Sequence, residues 1–211
     1  MERLSIDTPH GSSAAEVSMA AHGRGVVVLG HGAGGGIGAP DLVAATSGAL
    51  DAGFHVILVE QPYRVAGRRA PPRAPLLDAA WIAVVQAVRG RFDDAAPLVV
   101  GGRSSGARVA CRTATMLAAE GVLCLAFPLQ PPRGADKPAA PSRIHELAAP
   151  EVPVLVVQGE RDPFGMPPPA RQRTVVVVAG DHGLKADPPA VRAAVQQWLL
   201  QLTGGRTPSP A

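Results

Sequence analysis

The sequence predicts an α/β fold: a mostly parallel sheet of about six to eight strands, wrapped by helices on both faces. Three observations lead there. Short apolar runs alternate along the chain with amphipathic or Ala-rich segments. Six of those runs are of strand length, which makes a sheet of ordinary size. The composition, 46% hydrophobic and 18% charged over 211 residues, suits one well-buried domain and is short for two.

An antiparallel edge hairpin is expected first, from 3–7 and 15–20, followed by strands at 25–30, 55–60, 97–101, 122–127, 152–158 and 174–179. Helices are expected near 41–52, 75–88, 105–119, 142–147 and 188–202. The last is the best specified. Asp187 is placed to cap it, prolines fill its first turn, Val191, Val195, Trp198 and Leu202 recur at three- and four-residue spacing, and Gly204-Gly205 stops it. Leu77, Trp81, Val84 and Val88 make a similar stripe in the second helix, read as core rather than as a cofactor box. Residues 1–202 therefore form a single domain, and 203–211 (TGGRTPSPA) a flexible C-terminal tail.

Several function classes are disfavoured. The net charge of +3 rests on scattered arginines, and with aromatics at 3% no basic run is interleaved with stacking rings, so nucleic-acid binding is not expected. Cys111 and Cys124 read as small buried hydrophobes rather than a redox pair or metal site. No run approaches the ~18 residues of a membrane span and the N-terminus lacks a signal-peptide core, so a soluble, cytoplasmic protein is expected.

Residues 26–38, VVVLGHGAGGGIG, end in six glycines among nine residues, and two chemistries compete for them. Gly30 to Gly35 fits the dinucleotide pattern G-x-G-x-x-G, with Glu60 at the end of the next apolar run where a ribose-binding acid belongs. The same loop fits an oxyanion hole, whose backbone N–H groups meet developing negative charge.

The choice is made downstream. Gly102-Arg103-Ser104-Ser105-Gly106 matches G-x-S-x-G directly after an apolar strand and directly before a small-residue helix, the context a nucleophile elbow requires. A serine hydroxyl is a poor nucleophile at neutral pH and needs a base held by a carboxylate. Asp162 and His182 follow in the order Ser, Asp, His, each just past the carboxyl end of a predicted strand. Pro163 keeps Asp162 extended at the start of its loop. Glu160 and Asp181 are rival carboxylates, but Asp181 adjoins His182 and is badly placed to reach round to its imidazole.

GHGAGG, VEQPYRVAG, GGRSSGARVA, LAFPL, VLVVQGERDPFG and AGDH together resemble the small α/β-hydrolases of the dienelactone-hydrolase-like kind over about 24–202. The resemblance is closest to the branch containing the third subunit of the NSL chromatin-modifying complex and its testis-expressed relative. It implies an α/β-hydrolase fold, with Ser104 matching the nucleophile, Asp162 the acid and His182 the base. Because some relatives in that branch act as complex subunits, a non-catalytic interaction protein with a hydrolase fold is the alternative, and a dinucleotide-binding protein the third reading.

With the elbow accepted, the glycine loop is read as oxyanion machinery. The N–H of Ser105 is one donor and that of Ala33 the second, with Gly34 a close alternative; His31 and Gly32 shape and brace the loop. Glu60 is expected to pair with Arg103 and support the nucleophile turn. Tyr63 lies in a loop whose Arg64, Arg68, Arg69 and Arg73 are read as a solvated face rather than a pocket mouth. The proline-rich stretch 128–150 has room for one short helix and no lid domain. The expected activity is hydrolysis of a small carboxylic ester or thioester through an acyl-enzyme on Ser104, with no metal or organic cofactor, a small-molecule acyl substrate as partner and no nucleic acid or membrane, the oligomeric state being left open.

Overall fold

The protein is described by a computed structural model covering residues 2–132 and 140–204. Its chain order begins with the hairpin β1 (Glu2–Thr8) and β2 (Gly11–Ser18), then β3 (Gly25–Gly30), α1 (Pro40–Asp51) and β4 (Phe54–Glu60). Next come α2 (Pro62–Val65), α3 (Ala74–Arg89), β5 (Leu98–Arg103), α4 (Ser105–Thr113) and β6 (Gly121–Leu125). The chain closes with α5 (Ile144–Leu147), β7 (Val154–Gly159), β8 (Arg173–Val178) and α6 (Pro188–Thr203). Residues 205–211, most of the expected tail, lie outside the described residues.

The strands form one eight-stranded sheet in the order β1-β2-β4-β3-β5-β6-β7-β8. β1 and β2 run antiparallel to each other, β2 antiparallel to β4, and every pairing from β4 to β8 is parallel. Strand alternation splits the interior in two. Val26, Val28, Val100, Val122 and Val156 face one core with Trp81 and Val84 of α3 and Val109 of α4. Val27, Leu29, Val99, Leu123 and Leu155 face the other, with Leu42 and Ala45 of α1 and Val195 and Leu199 of α6. The stripe Leu77, Trp81, Val84 and Val88 is core, as its spacing predicts. Asp187 caps α6 by accepting from the Ala190 N–H at 3.0 Å.

Two local features depart from the expected elements. α2, a single turn after Pro62, is too short to leave a periodic signature; it closes through Arg64 N–H to Gln61 C=O at 2.9 Å and Ala66 N–H to Pro62 C=O at 2.9 Å. α4 ends at Thr113 rather than running to 119. Thr113 turns its hydroxyl back to the Val109 carbonyl at 2.8 Å, and the chain continues as turns. It terminates with Ala119 N–H on the Ala114 carbonyl at 3.0 Å and Ala118 N–H on the Thr115 carbonyl at 3.1 Å. That pair of bonds is a Schellman stop, with Ala118 at φ 49° in the position usually given to glycine.

Ala118 is exposed, so its methyl group contributes no packing while its Cβ is strained in the left-handed region. Ala118→Gly is expected to stabilise the fold by about 1 kcal/mol, read as a higher urea midpoint at unchanged slope.

Candidate active site

β5, β7 and β8 are parallel, so the loops that follow them leave the sheet at one edge. The chain leaves β5 through a sharp turn in which Ser104 sits at φ 51°, ψ −106°. That conformation is sparsely populated for any residue with a Cβ, and it throws the side chain out of the sheet. The flanking glycines are there for space: a Cβ at Gly102 or at Gly106 would stand 2.4 Å from the carbonyl oxygen of Gly30 at the end of β3. The Ser104 N–H is held by the Leu125 carbonyl of β6 at 2.9 Å.

The loops after β7 and β8 are tied to each other. Glu160 N–H donates to the Val178 carbonyl at 2.9 Å, and Arg161 N–H to the Gly180 carbonyl at 2.9 Å. These bonds bring residues twenty apart in sequence together. His182 Nδ1 lies 2.8 Å from Asp162 Oδ2, and His182 Nε2 lies 2.9 Å from Ser104 Oγ. The carboxylate accepts from Nδ1–H, which leaves Nε2 with its lone pair toward the serine hydroxyl.

The Asp162 side chain is 1% exposed, and its other contacts are all from donors. Gln158 Nε2 donates to Oδ2 at 2.8 Å, and the Phe164 N–H to Oδ1 at 2.9 Å. The same Gln158 amide nitrogen faces the carbonyls of Phe127 at 3.1 Å and Gly165 at 3.0 Å. Three acceptors around one atom dictate which end of the amide is NH2. The ring of Phe164 packs against the imidazole with centroids 4.3 Å apart. Glu160 is instead engaged by Arg161, and Asp181 Oδ1 accepts from the Gly183 N–H at 2.8 Å to shape the histidine turn.

The β3–α1 loop is anchored at two points. His31 Nδ1–H donates to the Gly32 carbonyl at 2.8 Å, and its Nε2 accepts from the Gln61 N–H at 3.1 Å. Both bonds suit the neutral ring, and burial holds the His31 imidazole below its usual range. Tyr63 Oη–H donates to the Ala33 carbonyl at 3.0 Å, and burial pushes the phenol up, keeping it a donor. Ser105 opens α4, so its N–H is one of the four that a helix leaves without an intrahelical partner. Ala33 is half-buried and Gly34 exposed.

The expected Glu60–Arg103 pair does not form. β3 lies between β4 and β5, so Glu60 is one strand too far away and pairs with Arg3 of β1 at 3.3 Å. Arg103 meets Asp41 in the first turn of α1, with Nε 2.8 Å from Oδ2. This is a charge contact rather than an aligned hydrogen bond, since Oδ2 has no directed donor. Burial pushes the Asp41 carboxyl up while the Arg103 charge opposes that shift. Asp41, Gln158 and Phe164 escape the sequence reading. Gln158 leaves one signal, a polar amide ending an otherwise apolar strand. Arg68, Arg69 and Arg73 are exposed, consistent with a solvated face.

Cys111 and Cys124 are buried free thiols with sulfurs 3.5 Å apart. Among the described residues, no helix is long and apolar enough to cross a membrane, and no lid domain covers the sheet edge. A groove of about 740 Å³ runs between α1 and α6, lined by Pro40, Val43, Pro188 and Arg192 among others; none of its lining residues belongs to the Ser104–His182–Asp162 chain.

The fold has counterparts among solved structures. A serine hydrolase without lid from Xanthomonas campestris is 21% identical, with a TM-score of 0.74 over 100% of this chain and 96% of its own. A serine hydrolase homologue from Coxiella burnetii is 15% identical, with a TM-score of 0.74 over 94% of this chain and 97% of its own. Est1E from Butyrivibrio proteoclasticus is 15% identical, with a TM-score of 0.72 over 96% of this chain and 99% of its own. No curated protein matches the sequence. The profile of the family described as "Alpha/beta hydrolase domain" matches residues 23–197, from just before β3 into α6. The chain belongs to the alpha/beta hydrolase domain family.

Proposed function

We propose that the protein is a serine hydrolase that cleaves a small carboxylic ester or thioester through an acyl-enzyme on Ser104. One observation carries the reading: a continuous hydrogen-bond chain, Ser104 Oγ to His182 Nε2 at 2.9 Å and His182 Nδ1 to Asp162 Oδ2 at 2.8 Å, at the carboxyl edge of a parallel sheet. In this mechanism His182 Nε2 takes the serine proton as Oγ attacks the acyl carbon. The oxyanion is met by the backbone N–H groups of Ser105 and Ala33. The imidazolium returns its proton to the leaving alcohol or thiol, and the acyl group stays on Ser104. Water enters and gives a proton to His182 as its oxygen attacks the acyl carbon, and the imidazolium returns that proton to Ser104 Oγ as the acid leaves. Asp162 keeps the ring in the tautomer that each step requires. His31 and Tyr63 hold the β3–α1 loop, and each oxyanion donor is worth about 10²–10³ in rate. The paired free thiols favour a reducing, cytoplasmic setting.

A fluorophosphonate probe is expected to label the protein, with Ser104→Ala unlabelled and its ester turnover lowered by at least about 10³-fold. Well-folded wild-type protein that neither labels nor turns over an ester and thioester panel would sink the proposal and favour the interaction-protein reading. Asp162→Asn should leave the fold intact and lower kcat by about 10³–10⁴-fold, since an amide no longer selects the productive imidazole tautomer.

The loop anchor makes a separate prediction. Burial keeps His31 neutral in the folded state, so the unfolded chain binds a proton there at higher pH. Stability therefore falls as pH drops below about 6.5, in the window where only the unfolded form is protonated. Urea titrations at about pH 7.5 and about pH 5.5 should show a smaller loss for His31→Gln than for wild type.

A further inference from the structure

We infer that Arg103, the variable residue of the G-x-S-x-G turn, is a positioning residue that fixes the His182 loop against the nucleophile turn, with Asp41 as its buried counter-charge. The inference rests on the hydrolase reading for its kinetic consequence. Its geometric content stands alone.

Arg103 is adjacent to Ser104, yet its guanidinium reaches three other segments. Nε lies 2.8 Å from Asp41 Oδ2 in the first turn of α1. Nη2 donates to the backbone carbonyl of His182 at 3.1 Å. Nη1 lies under the β3–α1 loop, where a Cβ on Gly32 would stand 2.7 Å away, so any side chain at that glycine would displace it. One planar group thus spans the loops after β3 and β8 while its backbone is the last residue of β5. A lysine ammonium at this position is a point charge with no fork and cannot meet Asp41 and the His182 carbonyl as the guanidinium does.

The His182 carbonyl is the contact that distinguishes positioning from bulk stability. The imidazole is already fixed at its tip by Asp162 and flanked by Phe164. Those contacts act on the ring, and the backbone bond from Arg161 N–H to the Gly180 carbonyl ties the loop to the one after β7 rather than to the nucleophile turn. The Arg103 hydrogen bond ties that backbone to the residue next to Ser104, so it sets the 2.9 Å approach of Nε2 to Oγ. Asp41 has a different task. Its side chain is 0% exposed and its Oδ1 accepts from the Leu42 N–H at 3.0 Å. It holds the guanidinium in place from the opposite side. Removing Arg103 alone would strand this carboxylate without a cation, so a single substitution confuses lost stability with lost positioning.

The double variant Arg103→Met/Asp41→Leu separates them, because it removes the stranded charge together with the guanidinium. Arg103→Met should lower the urea midpoint, and the double variant should recover most of it. In both, kcat on p-nitrophenyl acetate should be down about 10- to 100-fold with KM within about twofold, as expected when reacting atoms are displaced by a fraction of an ångström to an ångström. The downfield proton NMR signal of His182 Nδ1–H expected in wild type should shift or broaden in both variants. Arg103→Lys should show an intermediate kcat. A double variant with wild-type stability, wild-type kcat and an unchanged imidazole signal would overturn the assignment, as would recovery of kcat in step with the urea midpoint. If wild-type protein neither labels with a fluorophosphonate nor turns over any ester or thioester, the hydrolase reading fails. The imidazole signal then decides the positioning role alone: changed in the folded double variant it supports the role, unchanged it refutes it.

Discussion

The turn at Ser104 is the constraint to which the rest of the molecule answers. A residue with a Cβ at φ 51° costs on the order of 1–3 kcal/mol, and the turn survives because its surroundings leave it no alternative. β5 enters it paired on both sides, by β3 and β6. The Gly30 carbonyl sits where a Cβ of either flanking glycine would go, and the Leu125 carbonyl takes the Ser104 N–H. Fully burying one large apolar side chain contributes roughly 1.5–3 kcal/mol, and Trp81, Phe54, Phe127 and Leu123 are each fully buried around these strands. Two or three such side chains outweigh the strain.

The same arithmetic explains the division of labour between the two cores. α3 and α4 pack one face of the sheet and α1 and α6 the other. The functional groups belong to neither core; they stand on short connections whose ends the cores fix. The loops after β7 and β8 are tied together by backbone hydrogen bonds, which set the spacing of the Asp162 and His182 backbones from which the side chains meet. Hydrogen bonds from Gln158 and Phe164 N–H then satisfy a carboxylate that would otherwise be buried without partners.

How far the sequence discloses this arrangement depends on the range of the interaction. The parallel strands are legible because a strand buried on both faces is a continuous Val/Leu run; β3 is found at 25–30 to the residue. Ser104, Asp162 and His182 are legible because each directly follows such a run, and the structure brings all three together. Glu60 fails for a topological reason: adjacency in sequence order suggests that β4 neighbours β5, while the sheet inserts β3 between them. Asp41 is hidden for the same reason, since an acid after proline reads as a helix-start residue until the chain folds Arg103 over it. Gln158 acts through its side-chain amide at the end of β7 and Phe164 through its backbone N–H in the loop that follows, and the local geometry that aims both at Asp162 is not encoded by spacing alone. The end of α4 is invisible because its stop uses Ala118 where a glycine would have announced it.

The buried Asp41 also bears on the charge that the proposed reaction creates. When His182 takes the serine proton it becomes a cation between the Asp162 carboxylate and the ring of Phe164, both of which favour positive charge there. A guanidinium bonded to the carbonyl of that same residue would oppose it, because two like charges at short range in a partly buried site repel far more strongly than in water. Asp41 removes the conflict. Paired at 2.8 Å, Arg103 and Asp41 present the His182 backbone with a strong donor that carries almost no net charge. The molecule obtains the rigidity of an arginine fork beside its base without the electrostatic penalty of a free arginine. A carboxylate that burial alone would disfavour is thereby matched with a cation beside the proposed base.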